Sequence, residues 1–296
     1  MSGPEVSGVP QPADEEGRAA VVPAAFTHVV VPLDGSTESA RAIPVARHLA
    51  ERFGADLTLV AVATPGSDRA TLQRSVDQAA IAAHAKIVVV EHDHVPDGIL
   101  SVVDEQPGHL VCMASHGRGR AAGLVGSVAG EIATRVSAPL VVVGPRVPDD
   151  LLLTGRLVAC VDGSPWSESV LPPAAAWAAA LGLGLSIVTI AEPVPEPVSP
   201  GGSYHRRHGP DIAAEEYVGQ LMAEWRGRSV DVDGEAVYDP VSVVGGLTSY
   251  LDPRPPALVA ATTHARSGMA RLVLGSVAAR IVHEIAAPIL LVPGSA

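Results

Sequence analysis

The chain has 296 residues, of which 47% are hydrophobic and only 3% aromatic, and it carries a formal net charge of −12. That length suits about two domains, and cores so poor in aromatics must be built from Val, Leu, Ile and Ala, the usage of parallel strands covered on both faces. The charge argues against general binding to nucleic acid or anionic membrane, and the two cysteines, Cys112 and Cys160, show no CxxC pairing that would signal zinc or redox chemistry.

Taken in order, residues 1–24 are rich in Pro, Gly, Glu and small side chains and are expected to form a disordered tail. Phe26–Pro32 reads as a buried strand that ends in the turn Leu33-Asp34-Gly35-Ser36, and helical spacing follows over Thr37–Phe53. Strands at Ala55–Ala63, Lys86–His92, His109–Ser115 and Pro139–Gly144 alternate with helices at Thr71–Ala85, Pro96–Glu105 and Gly126–Val136. Such alternation predicts a parallel sheet with right-handed crossovers. The stretch Pro145–Thr154, with two prolines and two aspartates, contains a linker placed at 147–154, between domains at 25–146 and 155–296.

The second half repeats the order. Strands are expected at Arg156–Val161, Leu185–Ala191 and Val230–Tyr238, and helices at Trp166–Leu181, Asp211–Arg226 and Val241–Leu251. Residues 192–210, dense in Pro and Gly, form a long loop that reads equally as a lid or as a tolerated insertion. Each half closes on the same run of parts. HLVCMASHGRGRAAGLVGSVAGEIATRVSAPLVVVGP spans 109–145, and ALVAATTHARSGMARLVLGSVAARIVHEIAAPILLVPG spans 257–294. Asp34 and Asp162 are 128 residues apart, while Gly126 and Gly275, like Pro139 and Pro288, are 149 apart. The difference of 21 is mostly the long loop, so the repeat unit is a whole domain.

In an open parallel sheet a ligand binds beyond the carboxyl ends of the strands, where the strand order reverses. Asp34 and Asp162 end the first strand of each half, and Ser115-His116 and Thr263-His264 end the fourth. A carboxylate there can accept from ribose hydroxyls or help hold magnesium, and the same Asp-Gly-Ser is also a good turn and cap. The Gly-Ser at 126–127 and 275–276 opens a helix whose first amides lack intrahelical partners, a cradle suited to phosphate. The hydroxyls of Ser127 and Ser276 can add a donor to that cradle or cap the helix, and the two roles are compatible. Arg118, Arg120, Arg266 and Arg271 read as phosphate neutralisers or as a solvated basic edge. His116 and His264 have no nucleophile–base–orienter constellation in the sequence and read as loop or capping residues. There is no GxxxxGK with Ser or Thr. The GxGxxxG at 117–123 is one residue off the dinucleotide fingerprint and follows the fourth strand, so neither a P-loop nor a dinucleotide enzyme is expected.

These residues carry a resemblance. The Asp-Gly-Ser after strand one and the loop ending in Gly-Ser after strand four make the chain resemble a tandem universal stress protein over residues 25–145 and 155–294. The resemblance implies two open five-stranded parallel α/β sheets, Rossmann-like and related to the adenine-nucleotide α-hydrolases. It also implies ATP as the ligand of the branch marked by Gly-x2-Gly-x9-Gly-Ser/Thr, with the strand-one carboxylate able to help hold an accompanying magnesium ion. Carried over residue by residue, the implied ligand residues are Asp34, Val62, Gly117, Gly126, Ser127 and Val128 in the first half. In the second half they are Asp162, Ile190, Gly275, Ser276 and Val277. Both halves depart from the pattern. Ala114 replaces the leading glycine of the first, where the gap from Gly117 to Gly126 is eight residues; Thr262 and Ala265 replace both early glycines of the second, where the gap is nine.

The expected role is a nucleotide-dependent stress regulator, non-enzymatic or at most a slow ATPase; an interaction protein with an empty crevice is the alternative. The sequence shows no secretory signal and no apolar run of bilayer length, so a cytoplasmic protein without membrane or nucleic-acid partners is the default expectation. The apolar fifth strands are edge strands and are expected to meet within one chain as a pseudo-two-fold pair, a homodimer of the whole chain being compatible with this. Each cysteine lies in an apolar run and reads as a buried free thiol.

Overall fold

A computed structural model describes residues 26–104, 108–117, 125–136, 138–191, 212–228, 230–239, 241–263 and 276–293. The N-terminal tail, the 192–210 loop, Arg118, Arg120, His264, Ala265, Arg266, Arg271 and Gly275 lie outside the described residues.

In the first half the chain runs β1 (His28–Leu33), α1 (Thr37–Ala40), α2 (Ala42–Phe53), β2 (Asp56–Ala63), α3 (Arg69–Ala83), β3 (Lys86–Glu91), α4 (Val95–Asp104), β4 (His109–Ala114), α5 (Ser127–Arg135) and β5 (Leu140–Val143). The second half repeats it as β6 (Arg156–Cys160), α6 (Pro165–Glu168), α7 (Leu171–Leu181), β7 (Gly184–Ala191), α8 (Ile212–Trp225), β8 (Val232–Tyr238), α9 (Val243–Leu251), β9 (Leu258–Thr263), α10 (Ser276–Glu284) and β10 (Ile289–Pro293). The strands form one ten-stranded sheet in the order β3-β2-β1-β4-β5-β10-β9-β6-β7-β8. Every pairing within a half is parallel, and the seam between β5 and β10 is antiparallel, with Ile289 opposite Val142 and Leu291 opposite Leu140. The two five-stranded sheets thus join through their apolar fifth strands, and neither is left as an exposed edge. Because β1 lies between β2 and β4, and β6 between β7 and β9, the strand order reverses at those points and opens a crevice above each.

Strand alternation sends side chains to two cores. Val29, Val31, Leu110 and Val141 face the layer of α2, α3 and α7, whereas Val30, Val111 and Val142 face α4, α5, α9 and α10. Both cores run across the seam. The chain's two phenylalanines meet Trp177 of α7 there, with ring centroids 5.0 Å apart for Phe26–Phe53, 5.3 Å for Phe26–Trp177 and 5.2 Å for Phe53–Trp177. The linker is packed as well. Val147 and Leu153 are buried, and Arg41 and Arg52 donate to their carbonyls at 2.8 and 3.3 Å.

Two expected helices are each broken near the start. The helix predicted over Thr37–Phe53 breaks at Arg41, and that over Trp166–Leu181 breaks at Ser169-Val170. Proline explains both. Pro44 has no N–H for the carbonyl of Ala40, and Pro172 and Pro173 have none for Glu168 and Ser169. Cys112 is buried as expected, whereas Cys160, the last residue of β6, is only half-buried. Burial raises the pKa of both thiols, that of Cys160 to about 12. No helix among the described residues is long and apolar enough to cross a membrane.

Candidate functional site

The site begins with the turn after β1. Gly35 takes φ 81°, a left-handed conformation that glycine adopts without steric cost. That turn brings Ser36 back onto the aspartate: its amide donates to Asp34 Oδ1 at 2.9 Å and its hydroxyl at 2.5 Å. Ser36 Oγ also caps α1 by accepting from the Ser39 amide at 3.1 Å, while Ser39 Oγ donates to the Ser36 carbonyl and accepts from the Asp34 amide. The second half copies this network. Gly163 takes φ 83°, Ser164 donates twice to Asp162 Oδ1 at 3.0 and 2.6 Å, and Ser167 fills the place of Ser39. Ser39 and Ser167 were not singled out from the sequence. The signal was present, because Asp-Gly-Ser-x-x-Ser recurs at the same spacing of 128 residues.

Opposite Asp34 the chain leaves β4 through Ser115, His116 and Gly117. A Cβ on Gly117 would fall onto Asp34 Oδ2, so any larger residue here would force the carboxylate out of its place. Gly126 returns the chain to the same strand end, its amide donating to the Ser115 carbonyl at 2.8 Å, and α5 starts there. Gly126 is the N-cap of α5 and supplies no side-chain cap, so Ser127 is the first helical residue and its hydroxyl is exposed. Ser127 is therefore not the capping residue of α5.

These elements enclose a cavity of ≈ 340 Å³. Asp34, Val62, Gly117, Gly126, Ser127 and Val128 all line it, so the six expected residues of the first half converge. Its floor is apolar, with Val60, Val62, Ile99 and Met113, and Ala114 stands where the family pattern has its leading glycine. Thr64, Ser67 and Asp68, between β2 and α3, and Thr71 in the first turn of α3 give a polar wall that sequence reasoning missed. Asp68 caps α3, and its hydrogen bonds from the Thr71 hydroxyl and amide hold its carboxyl below the usual range. The arrangement offers an apolar slot, a carboxylate turned toward it and the amide end of a nine-residue helix. His116 lies at the seam, with Nδ1 3.0 Å from Ser115 Oγ and its ring 6.2 Å from that of His283 on α10.

In the second half Asp162 and Ile190 hold the places of Asp34 and Val62. The match extends to the helix above: a Cβ on Gly98 of α4 would press on Val62, and one on Gly246 of α9 would press on Ile190. Ser276 opens α10, Val277 is exposed there, and Gly275 lies outside the described residues. Tyr217 of α8 reaches this crevice and donates to Glu168 Oε1 at 2.9 Å; burial first, and Glu168 second, raise its hydroxyl pKa.

A parallel sheet whose strand order reverses, with helices on both faces, makes a Rossmann-like module, present here twice. The chain belongs to the universal stress protein family, whose model matches residues 25–144 and 154–293. Among solved structures it is similar to a universal stress protein from Archaeoglobus fulgidus (16% identity, 90% of this chain and 98% of that one, TM-score 0.61). A putative universal stress protein from Pseudomonas aeruginosa aligns at 12% identity, over 93% and 95%, with a TM-score of 0.61. A universal stress protein solved in complex with cAMP aligns at 28% identity with 40% of this chain and 98% of its own, with a TM-score of 0.34. No curated protein matches the sequence.

Proposed function

We propose that this universal stress protein binds ATP, with magnesium, in the crevice of its first half and acts as a nucleotide-dependent stress regulator in the cytoplasm. The observation that carries the reading is the convergence of Asp34, Val62, Gly117, Gly126, Ser127 and Val128 on one cavity. Its ≈ 340 Å³ lies within the range of small-molecule sites. The base would lie on Val60 and Val62, the ribose hydroxyls would donate to Asp34, and the phosphates would meet the first amides of α5 and the Ser127 hydroxyl. Beyond slow hydrolysis no catalytic role is proposed: His116 Nδ1 lies 3.0 Å from Ser115 Oγ and its ring 6.2 Å from that of His283. Thermal unfolding with millimolar ATP and magnesium tests it. A ligand held at a hundred times its Kd adds about 2.7 kcal/mol to the native state, so the midpoint should rise. Gly126→Asp, which sets a negative charge at the helix start, should abolish the rise. An unchanged midpoint in the wild-type protein would instead favour a same-fold interaction protein with an empty crevice.

A further inference from the structure

Outside the crevice, where α4 meets α5, three metal-ligating side chains come together. His94, Asp97 and Glu131 each offer one ligand atom, and these atoms lie within 4.8 Å of one another. His94 Nδ1 is 3.0 Å from Asp97 Oδ2, and Nε2 of the same ring is 3.5 Å from Glu131 Oε2. Arg135, one turn beyond Glu131, takes the outer oxygens: it donates to Asp97 Oδ1 at 2.5 Å and to Glu131 Oε1 at 2.5 Å. The guanidinium therefore fixes both carboxylates with their second oxygens turned inward to the imidazole. Outer partners orient metal-ligating carboxylates in the same way.

We propose that His94, Asp97 and Glu131 form a binding site for a divalent transition-metal ion of the zinc type, separate from the nucleotide crevice. One imidazole and two carboxylates make a mixed nitrogen and oxygen set, which zinc accepts in four-coordination with water in the fourth place. Magnesium and calcium favour oxygen alone, and the imidazole selects against them. The charges fit a dication, because two carboxylates and one guanidinium leave a single negative charge. Access is open, since the His94 side chain is 51% exposed. The frame is fixed: the His94 carbonyl accepts the Gly98 amide at 3.1 Å, and the His94 amide donates to His92 Nδ1 at 3.0 Å. On binding, the ring gives up one carboxylate contact and presents that nitrogen to the ion. The ion ties α4 to α5, and the same two helices wall the crevice through Val95, Ile99, Val128 and Ala129.

The test uses the full chain, free of tag and nucleotide, so its outcome does not depend on whether ATP binds. Zinc is titrated calorimetrically, magnesium serves as the comparison, and cobalt absorption in the visible reports nitrogen and oxygen ligation. One equivalent of zinc should bind in preference to magnesium. His94→Ala and Asp97→Asn should each weaken it about tenfold or more while leaving the circular dichroism unchanged. His84→Asn is the control among the chain's 11 histidines; it is exposed and at φ 55°, a conformation asparagine tolerates, and it should leave binding intact. Identical zinc titrations for wild type and His94→Ala would overturn the proposal. So would no zinc binding at all, the result expected if Arg135 is the only cation these carboxylates accept.

Discussion

At Asp34 and Asp162 a single carboxylate oxygen takes two hydrogen bonds from the serine two residues on, so the turn itself aims each side chain. In the first half the aim is made tight by Gly117. Gly117→Ala would drive a methyl into Asp34 Oδ2 and should cost about 1–3 kcal/mol of stability through overpacking, together with nucleotide affinity; urea midpoints and ATP titration measure the two losses. Asp68 supplies a pH dependence. Its carboxyl pKa is lowered in the fold by the Thr71 hydroxyl and amide. Such a group contributes stability above its unfolded pKa and loses it as pH falls through the lower folded value. The start of α3 should therefore fray below about pH 3.9, seen in the helical chemical shifts of residues 69–72 across a pH series. Asp68→Asn keeps an N-cap without the titration and should flatten that response.

At the scale of elements, α5 shows what a helix start does when its cap has no side chain. Because Gly126 holds the cap position and Ser127 is exposed beyond it, Ser127→Ala should change stability by no more than about 0.5 kcal/mol, yet weaken ATP binding; a true cap would show the opposite. Strand positions were legible in the sequence to within a residue or two, because runs such as residues 140–143 are too apolar and too short for anything but a buried strand. Helix existence was legible from periodicity. The breaks at Arg41 and Ser169-Val170 were not read, although Pro44, Pro172 and Pro173 announced them by their missing N–H groups. In the first half Asp34 and the Gly126-Ser127 pair pointed to the cavity they line, because both mark strand ends facing one another. The wall of Thr64, Ser67 and Thr71 was not foreseen, because nothing local shows which way the β2–α3 connection folds over the sheet.

For the whole molecule the decisive feature is the seam. The antiparallel β5–β10 pair makes one sheet of two halves, the Phe26, Phe53 and Trp177 rings clasp them on one face, and Gly144 passes so near Val282 that a Cβ would strike its carbonyl. Arg146 reaches across to the Glu284 carbonyl at the end of α10 at 3.0 Å. The halves should therefore unfold together. Tryptophan fluorescence reports on the second half and the seam, because Trp166, Trp177 and Trp225 all belong to the second half and Trp177 packs on Phe26 and Phe53, and its denaturant transition should coincide with that of far-UV circular dichroism. Trp177→Ala should lower stability by about 3–5 kcal/mol and shift both transitions. Within this frame the central claim is that the first crevice holds a nucleotide. Native mass spectrometry of the full chain with ATP and magnesium tests it most directly. The spectrum should show added mass of at least one ATP, with one equivalent lost in Gly126→Asp; only the bare chain, in wild type and variant alike, would mean that the first crevice holds no nucleotide.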